Sequence, residues 1–255
     1  MARGAILPSR FSLEFPVLTP GNTKLGPGRL IWGFGLPSRA TCPGMTPSCS
    51  GPCYSASLEA LRPAMRLRYQ RNLGLSRRPD FPRLVLAFLV LHDVRVVRVH
   101  TGGDYYSAAY ARKWLTIMRR APAVRFYFYT RSWRVPAILP VLGEMARLPN
   151  VRAWFSCDRD TGVPEAVPPG VRLAWLMTSP EDRPPRADLV FRTLPLRRKV
   201  LKRVGLALVC PVENGVTGHR TDCERCGVCW RPALTPTSSP ADALTEIKKL
   251  PAVLT

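Results

Sequence analysis

The cysteines are the residues of this chain best suited to chemistry, because seven of the eight fall into two tight groups. The first group is Cys42, Cys49 and Cys53, and the second is Cys210, Cys223, Cys226 and Cys229. Thiolates are strong metal ligands, so clustering at these spacings predicts metal binding. Three ligands leave a coordination position open for chemistry, whereas four close the shell and predict a structural site.

Disulfide bonds are the alternative explanation for clustered cysteines. The N-terminal apolar stretch Ala5–Leu7 ends at Pro8. It is far too short for a signal peptide. No apolar run reaches the roughly 18 residues of a membrane span, so no membrane partner is expected. The sequence therefore predicts a cytoplasmic protein whose thiols stay reduced and are available to a metal.

The second group has the more informative spacing. Twelve residues separate Cys210 from Cys223, and two residues stand in each of the gaps from Cys223 to Cys226 and on to Cys229. These overlapping steps are similar to part of a ferredoxin loop and favour a [4Fe-4S] cluster, although four thiolates also suit zinc. The eighth cysteine, Cys157, stands alone after a strand and is expected to be a buried, inert thiol.

The elements that must position these residues alternate between strand and helix patterns. Strands are predicted at Leu30–Leu36, Val94–Val99, Val124–Tyr129, Val151–Ser156, Val171–Met177, Asp188–Arg192 and Leu206–Val209. Helices are predicted at Leu58–Tyr69 with a break or start at Pro63, and at Phe81–Leu91, Ser107–Met118 and Pro136–Leu148. After Ser156 the connections are too short and proline-rich for helices.

This alternation predicts an α/β fold with a parallel sheet and right-handed crossovers. Seven strands in about 200 residues favour a partial or near-closed β/α barrel of the TIM type. The predicted organisation is an irregular arm at 1–24, the barrel-like core at 25–209, a Cys-rich segment at 210–231 packed on the core, and a Pro/Ser/Thr-rich linker at 232–255 that ends in a short helix, Ala241–Leu250.

Polar residues follow several of the predicted strands. His100–Asp104, Thr130–Ser132, Cys157–Asp160 and Cys210 each come directly after a strand, and the first strand leads into the loop of Cys42, Cys49 and Cys53. Ligands gather at the carboxyl ends of parallel strands, so we expect these residues and both cysteine groups to meet at one edge of the sheet.

Four segments together resemble the phage "gene product 88" family. They are Thr41–Cys49 with Cys53-Tyr54, Arg98–His100 with Gly103–Ser107, Tyr129–Ser132, and Cys223–Cys229 followed by Trp230. The resemblance covers the chain from about residue 22 to residue 231. It indicates a family whose function is unassigned.

A more distant resemblance is to radical S-adenosylmethionine enzymes, in which a three-cysteine loop follows the first barrel strand and a Gly-Gly-acid motif follows the second. It implies that Cys42, Cys49 and Cys53 hold a catalytic [4Fe-4S] cluster and that the second group holds an auxiliary cluster. Gly102, Gly103 and Asp104 would face the amino group of S-adenosylmethionine, and Arg131 would engage its carboxylate. The gaps of six and three residues here differ from that superfamily's usual three and two, and Asp104 stands where Glu is usual.

Simpler roles remain open for the same residues. Zinc bound by the first cysteine group and His100 would also satisfy the spacing. Asp104 or Ser107 could cap the next helix, and Arg131 could form a solvated pair with Asp158.

The charge of the chain suggests a polyanionic partner. The formal net charge is +21, and most of the 38 basic residues are Arg. Such a field favours nucleic acid or another polyanion, although the Arg residues are spread along the chain and could reflect composition alone. Two functions are therefore predicted: an iron-sulfur enzyme of radical S-adenosylmethionine type, or a non-enzymatic basic protein that is stabilised by zinc or a cluster and binds nucleic acid.

Overall fold

The computed structural model describes residues 16–22, 24–184, 186–198, 203–204, 207–214 and 221–231. The predicted linker at 232–255, its helix Ala241–Leu250 and most of the predicted N-terminal arm lie outside these residues.

A single mostly parallel sheet forms the centre of the molecule. In the described residues it has nine strands, which are β1 (Thr19–Pro20), β2 (Ile31–Phe34), β3 (Val96–Val99), β4 (Arg125–Thr130), β5 (Val151–Cys157), β6 (Val171–Met177), β7 (Leu189–Arg192), β8 (Arg203–Val204) and β9 (Ala207–Val209). They are ordered β1-β2-β3-β4-β5-β6-β7-β9-β8. The pairs from β2 through β7 to β9 are parallel, whereas β1 and β8 pair antiparallel at the two edges.

Helices occupy the connections in the first part of the chain. They are α1 (Pro47–Ser50), α2 (Tyr54–Leu61), α3 (Pro63–Arg77), α4 (Phe81–Leu91), α5 (Ala108–Arg120) and α6 (Leu139–Ala146), and two single turns follow later, α7 (Pro211–Asn214) and α8 (Cys223–Cys226). No helix in the described residues connects β5 to β6 or β6 to β7, as the sequence predicts.

The two faces of the sheet have different coverings. Alternate strand residues such as Phe128 and Phe155 pack with Trp114 of α5 and Leu142 of α6 in the main core. The residues between them, including Tyr127, Trp154 and Leu189, face the C-terminal cysteine segment instead. We call this second side the open face, because it carries no helix of three turns or more among the described residues.

The strand order tests the predicted barrel. Consecutive strands lie side by side, which places successive right-handed crossovers on one face, as in β/α barrels. In the described residues, however, β1 and β8 end the sheet and no pairing joins them. The mixed α/β fold with its mostly parallel sheet is confirmed, and the partial or near-closed barrel stays a prediction.

Most predicted elements are found. All seven predicted strands are present, and Phe81–Leu91 is helical over its full predicted length. The predicted break at Pro63 divides α2 from α3, because proline lacks the N–H that an uninterrupted helix needs. The sequence did not predict β1 or β8, two-residue edge strands too short to show a period. No described helix is long and apolar enough to cross a membrane.

Candidate metal centre

The first cysteine group lies in a loop that is anchored to the end of β5. Thr46 caps α1, its hydroxyl accepting a hydrogen bond from the Cys49 amide at 3.1 Å. The same hydroxyl donates to the Asp158 carboxylate at 2.7 Å. Arg131, which follows β4, donates to that carboxylate from Nε at 3.1 Å, and its Nη2 forms an ion pair with the same carboxylate at 2.9 Å. Asp158 therefore connects the cysteine loop to two strand ends.

The pair of Arg131 and Asp158 is buried, so the alternative of a solvated pair is wrong. The Asp158 side chain is 0% exposed and that of Arg131 is 12% exposed. Burial alone would raise the pKa of Asp158, but the hydrogen bond from Thr46 and the Arg131 charge outweigh it and lower that pKa below its ordinary value.

Replacing Asp158 with Asn should lower the free energy of unfolding by roughly 3 kcal/mol near pH 7, because Arg131 is left buried without its counter-charge. The lowered pKa means that the carboxylate stabilises the fold above its ordinary pKa and loses this effect as the pH falls through its folded-state pKa. The difference between variant and wild type should therefore shrink below about pH 4. Urea unfolding at several pH values measures it.

Glu144→Gln is the matched control for Asp158→Asn, since it breaks the exposed Arg119–Glu144 pair, which is expected to contribute less than about 1 kcal/mol. Equal losses from the two variants would contradict the structural role of Asp158.

The Gly102-Gly103-Asp104 motif packs against the segment that carries the first cysteine group. Gly103 has φ of 73°, which favours glycine, and a Cβ there would collide with Thr41 and Leu36. A Cβ on Gly102 would collide with the Ser55 hydroxyl. Two glycines are needed here because the loop after β3 passes so close to the segment that carries the cysteines.

Asp104 joins the loop after β3 to the loop after β4. Its carboxylate accepts hydrogen bonds from the Thr130 hydroxyl at 2.6 Å and from the amides of Tyr105 at 2.7 Å, Arg131 at 2.8 Å and Ser132 at 3.2 Å. Burial raises the pKa of Asp104, and these hydrogen bonds offset part of that rise. The helix cap of α5 is Ser107, not Asp104. The role of Asp104 toward an ammonium group stays a prediction.

The three thiols of the first group lie close enough to influence one another and Asp104. Burial, together with the charges of Asp104, Cys49 and Cys53, raises the pKa of Cys42 to about 12. Burial also raises the pKa of Cys49, although the Arg131 guanidinium lowers it in part. The structure thus brings together the cysteine loop, the Gly-Gly-Asp motif and Arg131, as the sequence predicts.

His100 has a different environment. Its φ of 65° turns the ring toward Tyr110, whose hydroxyl lies 2.9 Å from Nε2, and toward the edge of Tyr105. Burial lowers the pKa of His100 to about 3, so the ring is neutral. Nδ1 has no hydrogen-bond partner among the described atoms. A zinc site completed by His100 would have to use that atom, and it stays a prediction.

The second cysteine group is held by a tight local structure. Asp222 caps α8 by accepting a hydrogen bond from the Arg225 amide, and Gly227, with φ of 69°, reverses the chain after Cys226. The Trp230 indole then donates to the Cys223 carbonyl at 2.9 Å. The Asp222 cap, the left-handed Gly227 and the Trp230 hydrogen bond thereby shape the nine residues Asp222–Trp230, which carry three of the cysteines.

This segment is attached to both the open face and the chain before β2. The Trp154 indole of β5 donates to the Cys229 carbonyl at 3.0 Å. Glu224 accepts hydrogen bonds from the amides of Gly28 at 3.1 Å and Leu30 at 2.7 Å. In the part of the chain that the structure describes, the Cys-rich segment therefore contacts the core, and the predicted domain division stays a prediction.

All four cysteines of the second group line one small cavity of about 30 Å³ between the segment and the sheet. Cys210 enters it from the end of β9, while Arg98, Tyr127 and Tyr129 form its floor. The Arg98 Nε and the Tyr127 hydroxyl are buried and have no hydrogen-bond partner among the described atoms. Burial raises the pKa of Cys210 to about 12 and also raises that of Cys229.

The cysteines of each group lie near one another, but their side chains are not arranged as metal ligands in the described structure. All eight thiols are free, so the disulfide alternative is not seen. Among the described residues, no three His, Cys, Asp or Glu side chains have the geometry of a formed metal site. Cys157 is buried in the main core, as its isolated position predicts.

The two cysteine groups do not share one strand edge, which corrects that part of the sequence prediction. The first group lies over the loops after β3, β4 and β5, whereas the second lies on the open face. Arg98 stands between them: burial would lower its pKa, but Tyr54 beside the first group and Cys223 of the second raise it.

Sequence reasoning missed Arg98, Tyr127 and Thr46 as site residues. The signal for Arg98 was present, because it is the one charged residue in the otherwise apolar strand β3. A cation on an inner strand of a parallel sheet is costly and indicates a local partner. Nothing in the sequence alone distinguishes Thr46 from other loop threonines.

The fold and site define an α/β protein with a mostly parallel sheet, a three-cysteine loop over its strand ends and a four-cysteine segment on its open face. The chain belongs to the Gene product 88 family, whose model matches residues 16–232. It is 28% identical over 226 residues to the "Gene 88 protein" of Mycobacterium phage L5, covering 82% of this chain and 85% of that protein. It is 29% identical over 153 residues to the "Gene 88 protein" of Mycobacterium phage D29, covering 55% and 61%. No solved structure matches the chain.

Proposed function

We propose that this protein is an iron-sulfur protein with two cluster sites, one at each cysteine group. The observation that carries the proposal is the cavity on the open face, where four cysteine side chains meet the Arg98 guanidinium and the Tyr127 hydroxyl. A cluster held by four thiolates is net negative, and its sulfur atoms accept hydrogen bonds. Arg98 and Tyr127 have unused donors at that place.

Cluster binding requires a modest rearrangement of the thiols. Raised pKa values keep Cys210 and Cys229 protonated near neutral pH in the metal-free protein, so metal binding must displace their protons. Arg98 compensates part of the negative charge that results. The Tyr129 hydroxyl, which faces Cys229, would contribute as a neutral hydrogen-bond donor.

The first group would hold a second [4Fe-4S] cluster with one iron open to S-adenosylmethionine. When bound, that pair would supply radical chemistry. The residues around the loop support the proposal by proximity, since Asp104 and Arg131 act electrostatically on its thiols. Asp104 would hold the cofactor's ammonium group and Arg131 its carboxylate, beside the close-packed Gly102 and Gly103.

Asp104→Asn tests the cofactor proposal. If the carboxylate engages an ammonium group, binding of S-adenosylmethionine should weaken by roughly 1.5–3 kcal/mol, the contribution of a charge-assisted hydrogen bond. Isothermal titration of the reduced, cluster-loaded proteins measures this affinity. Asp160→Asn is the control, because it alters an exposed carboxylate that contacts the cysteine loop by accepting a hydrogen bond from the Ser48 amide.

Asp104 also accepts hydrogen bonds inside the protein, so unfolding by denaturant must be measured for both variants. Unchanged affinity in Asp104→Asn, with reduced stability, would show that the residue is structural only. No cofactor binding by the cluster-loaded wild type would exclude the radical-enzyme proposal.

The second candidate function is a non-enzymatic protein in which zinc or a cluster stabilises a basic fold that binds nucleic acid. Its support is the net charge of +21 and the ability of four thiolates to hold zinc. An absorption spectrum and metal analysis of anaerobically purified protein distinguish the candidates, because iron-sulfur sites are brown and zinc sites are colourless.

A further inference from the structure

A row of arginines crosses the open face beside the cysteine segment. Arg125, Arg152 and Arg172 lie in the first residues of β4, β5 and β6, on the side of the sheet that faces Trp154 and Tyr127. Arg152 is paired with Tyr127, two residues beyond Arg125, and Arg172 is paired with Trp154, two residues beyond Arg152. The row is therefore diagonal, with Cα atoms about 8 Å apart at each step.

The cysteine segment adds a fourth cation. The Arg231 carbonyl accepts a hydrogen bond from Arg152 Nε at 3.1 Å, which places Arg231 next to the row. Its guanidinium lies 5.2 Å from the centre of the Trp230 ring, and that of Arg125 lies 5.8 Å from the same ring. Arg172 lies 5.5 Å from the Trp154 ring. We call these four residues the arginine row.

The arginine row has no anionic partner in the described part of the chain. None of the ion pairs there includes any of its four members. Burial lowers the pKa of Arg152, and the charges of Arg172 and Arg125 lower it further. Gathering like charges without carboxylates costs free energy, which an external anion would recover.

We propose that the arginine row binds the phosphate backbone of a nucleic-acid strand. Guanidinium groups form paired hydrogen bonds with phosphate oxygens, and the regular steps of the row suit a ligand with repeated charges. Trp154 and Trp230 are only 1% and 6% exposed, so they hold the arginines in place and offer no surface for base stacking. The site therefore contacts backbone and binds without sequence preference.

This inference gives a location to the nucleic-acid partner of the second candidate function, and it does not require a particular metal. The probe is a fluorescein-labelled 20-nucleotide oligo(dT), and binding is followed by fluorescence anisotropy at several salt concentrations. Arg125→Gln/Arg172→Gln removes two row members whose side chains make no hydrogen bond in the described structure. Arg112→Gln/Arg147→Gln is the matched control, because it removes the same charge from exposed positions on α5 and after α6.

The row variant should bind roughly tenfold more weakly than wild type, and the slope of log K against log salt should fall by roughly 1.4 for two lost phosphate contacts. The control variant should change affinity by less than about twofold, since only the long-range field is altered. Circular dichroism and iron and zinc contents of the same preparations separate a binding defect from loss of fold or metal.

Equal weakening by both variants would show that binding is spread over the surface and would overturn the assignment. Undetectable binding by the wild type at low salt would overturn it as well. An oligoglutamate peptide that competes as well as the unlabelled oligonucleotide would indicate an acidic protein partner and exclude the nucleic-acid assignment. Retained metal content in any of these outcomes leaves the iron-sulfur proposal standing.

Discussion

Anaerobic reconstitution with iron and sulfide is expected to give a brown protein with about eight irons per chain, in two [4Fe-4S] clusters. The reason is that the described structure places four cysteines around one cavity and three in one loop. Iron and sulfide analysis, together with the absorption spectrum, measures the result. A colourless protein with one equivalent of zinc and no iron would contradict it and favour the second candidate.

Single substitutions assign the irons to their sites. Cys226→Ala should reduce the iron content to about four per chain, and so should Cys49→Ala, since each removes a ligand from a different cluster. Cys157→Ala is the matched control, because that thiol is buried in the main core and belongs to neither group. An equal loss of iron from Cys157→Ala would indicate a nonspecific effect of removing thiols.

The neighbours of the cavity support the proposed cluster site. Arg98 is partly buried on β3, and the Tyr127 side chain is 1% exposed on β4, yet each has a donor without a partner among the described atoms. An unsatisfied buried donor costs about 1–3 kcal/mol, so a folded protein seldom keeps two side by side without use. A sulfur-rich anion between the segment and the sheet would satisfy both.

The strands could be predicted because their composition was decisive. Val94–Val99 and Val124–Tyr129 are dense in β-branched and aromatic residues, which favour strands even where single arginines interrupt the apolar pattern. Pro63 likewise indicated a helix boundary through its missing N–H. By contrast, whether a sheet closes into a barrel depends on the twist summed over all its strands and on what covers its edges. Neither property can be predicted from the sequence of a single strand or helix.

The sequence could predict which cysteines group together but not where the groups are placed. Cysteine spacing identified all seven metal candidates, since ligand separation along a chain is a local property. The position of Cys223–Cys229 on the open face depends on the Glu224 contacts to Gly28 and Leu30, which are nearly 200 residues away in sequence. The sequence also could not show whether Arg131 and Asp158 were solvated or buried, because that depends on the loop above them.

Loss of a ligand should have opposite consequences at the two cysteine groups. Cys226→Ala is expected to lower the unfolding free energy of the metal-loaded protein by about 3 kcal/mol or more, and Tm by roughly 6–12 °C. The reason is that a closed four-thiolate site contributes its metal-binding free energy to folding. The metal would join Cys210 at the end of β9 to a segment that otherwise contacts the core through hydrogen bonds such as those of Glu224 and Trp154.

Cys49→Ala should leave Tm within about 2 °C of wild type, because its loop is fastened by protein contacts. The Thr46 hydroxyl still caps α1 and still donates to Asp158 in this variant. Cofactor binding should be lost, however, since the open cluster site would be missing a ligand. Differential scanning calorimetry and S-adenosylmethionine titration on the same samples separate these effects.

The comparison of the two variants is decisive because each serves as the other's control for removing one thiol. Equal destabilisation would mean that both groups are structural, as expected if zinc occupies both and the protein is a metal-stabilised binding module. An unchanged Tm in Cys226→Ala would mean that the segment is held by Trp154, Trp230 and Glu224 alone, and that its metal has a functional role. The expected asymmetry follows from ligand number: three thiolates leave a reactive position and four do not.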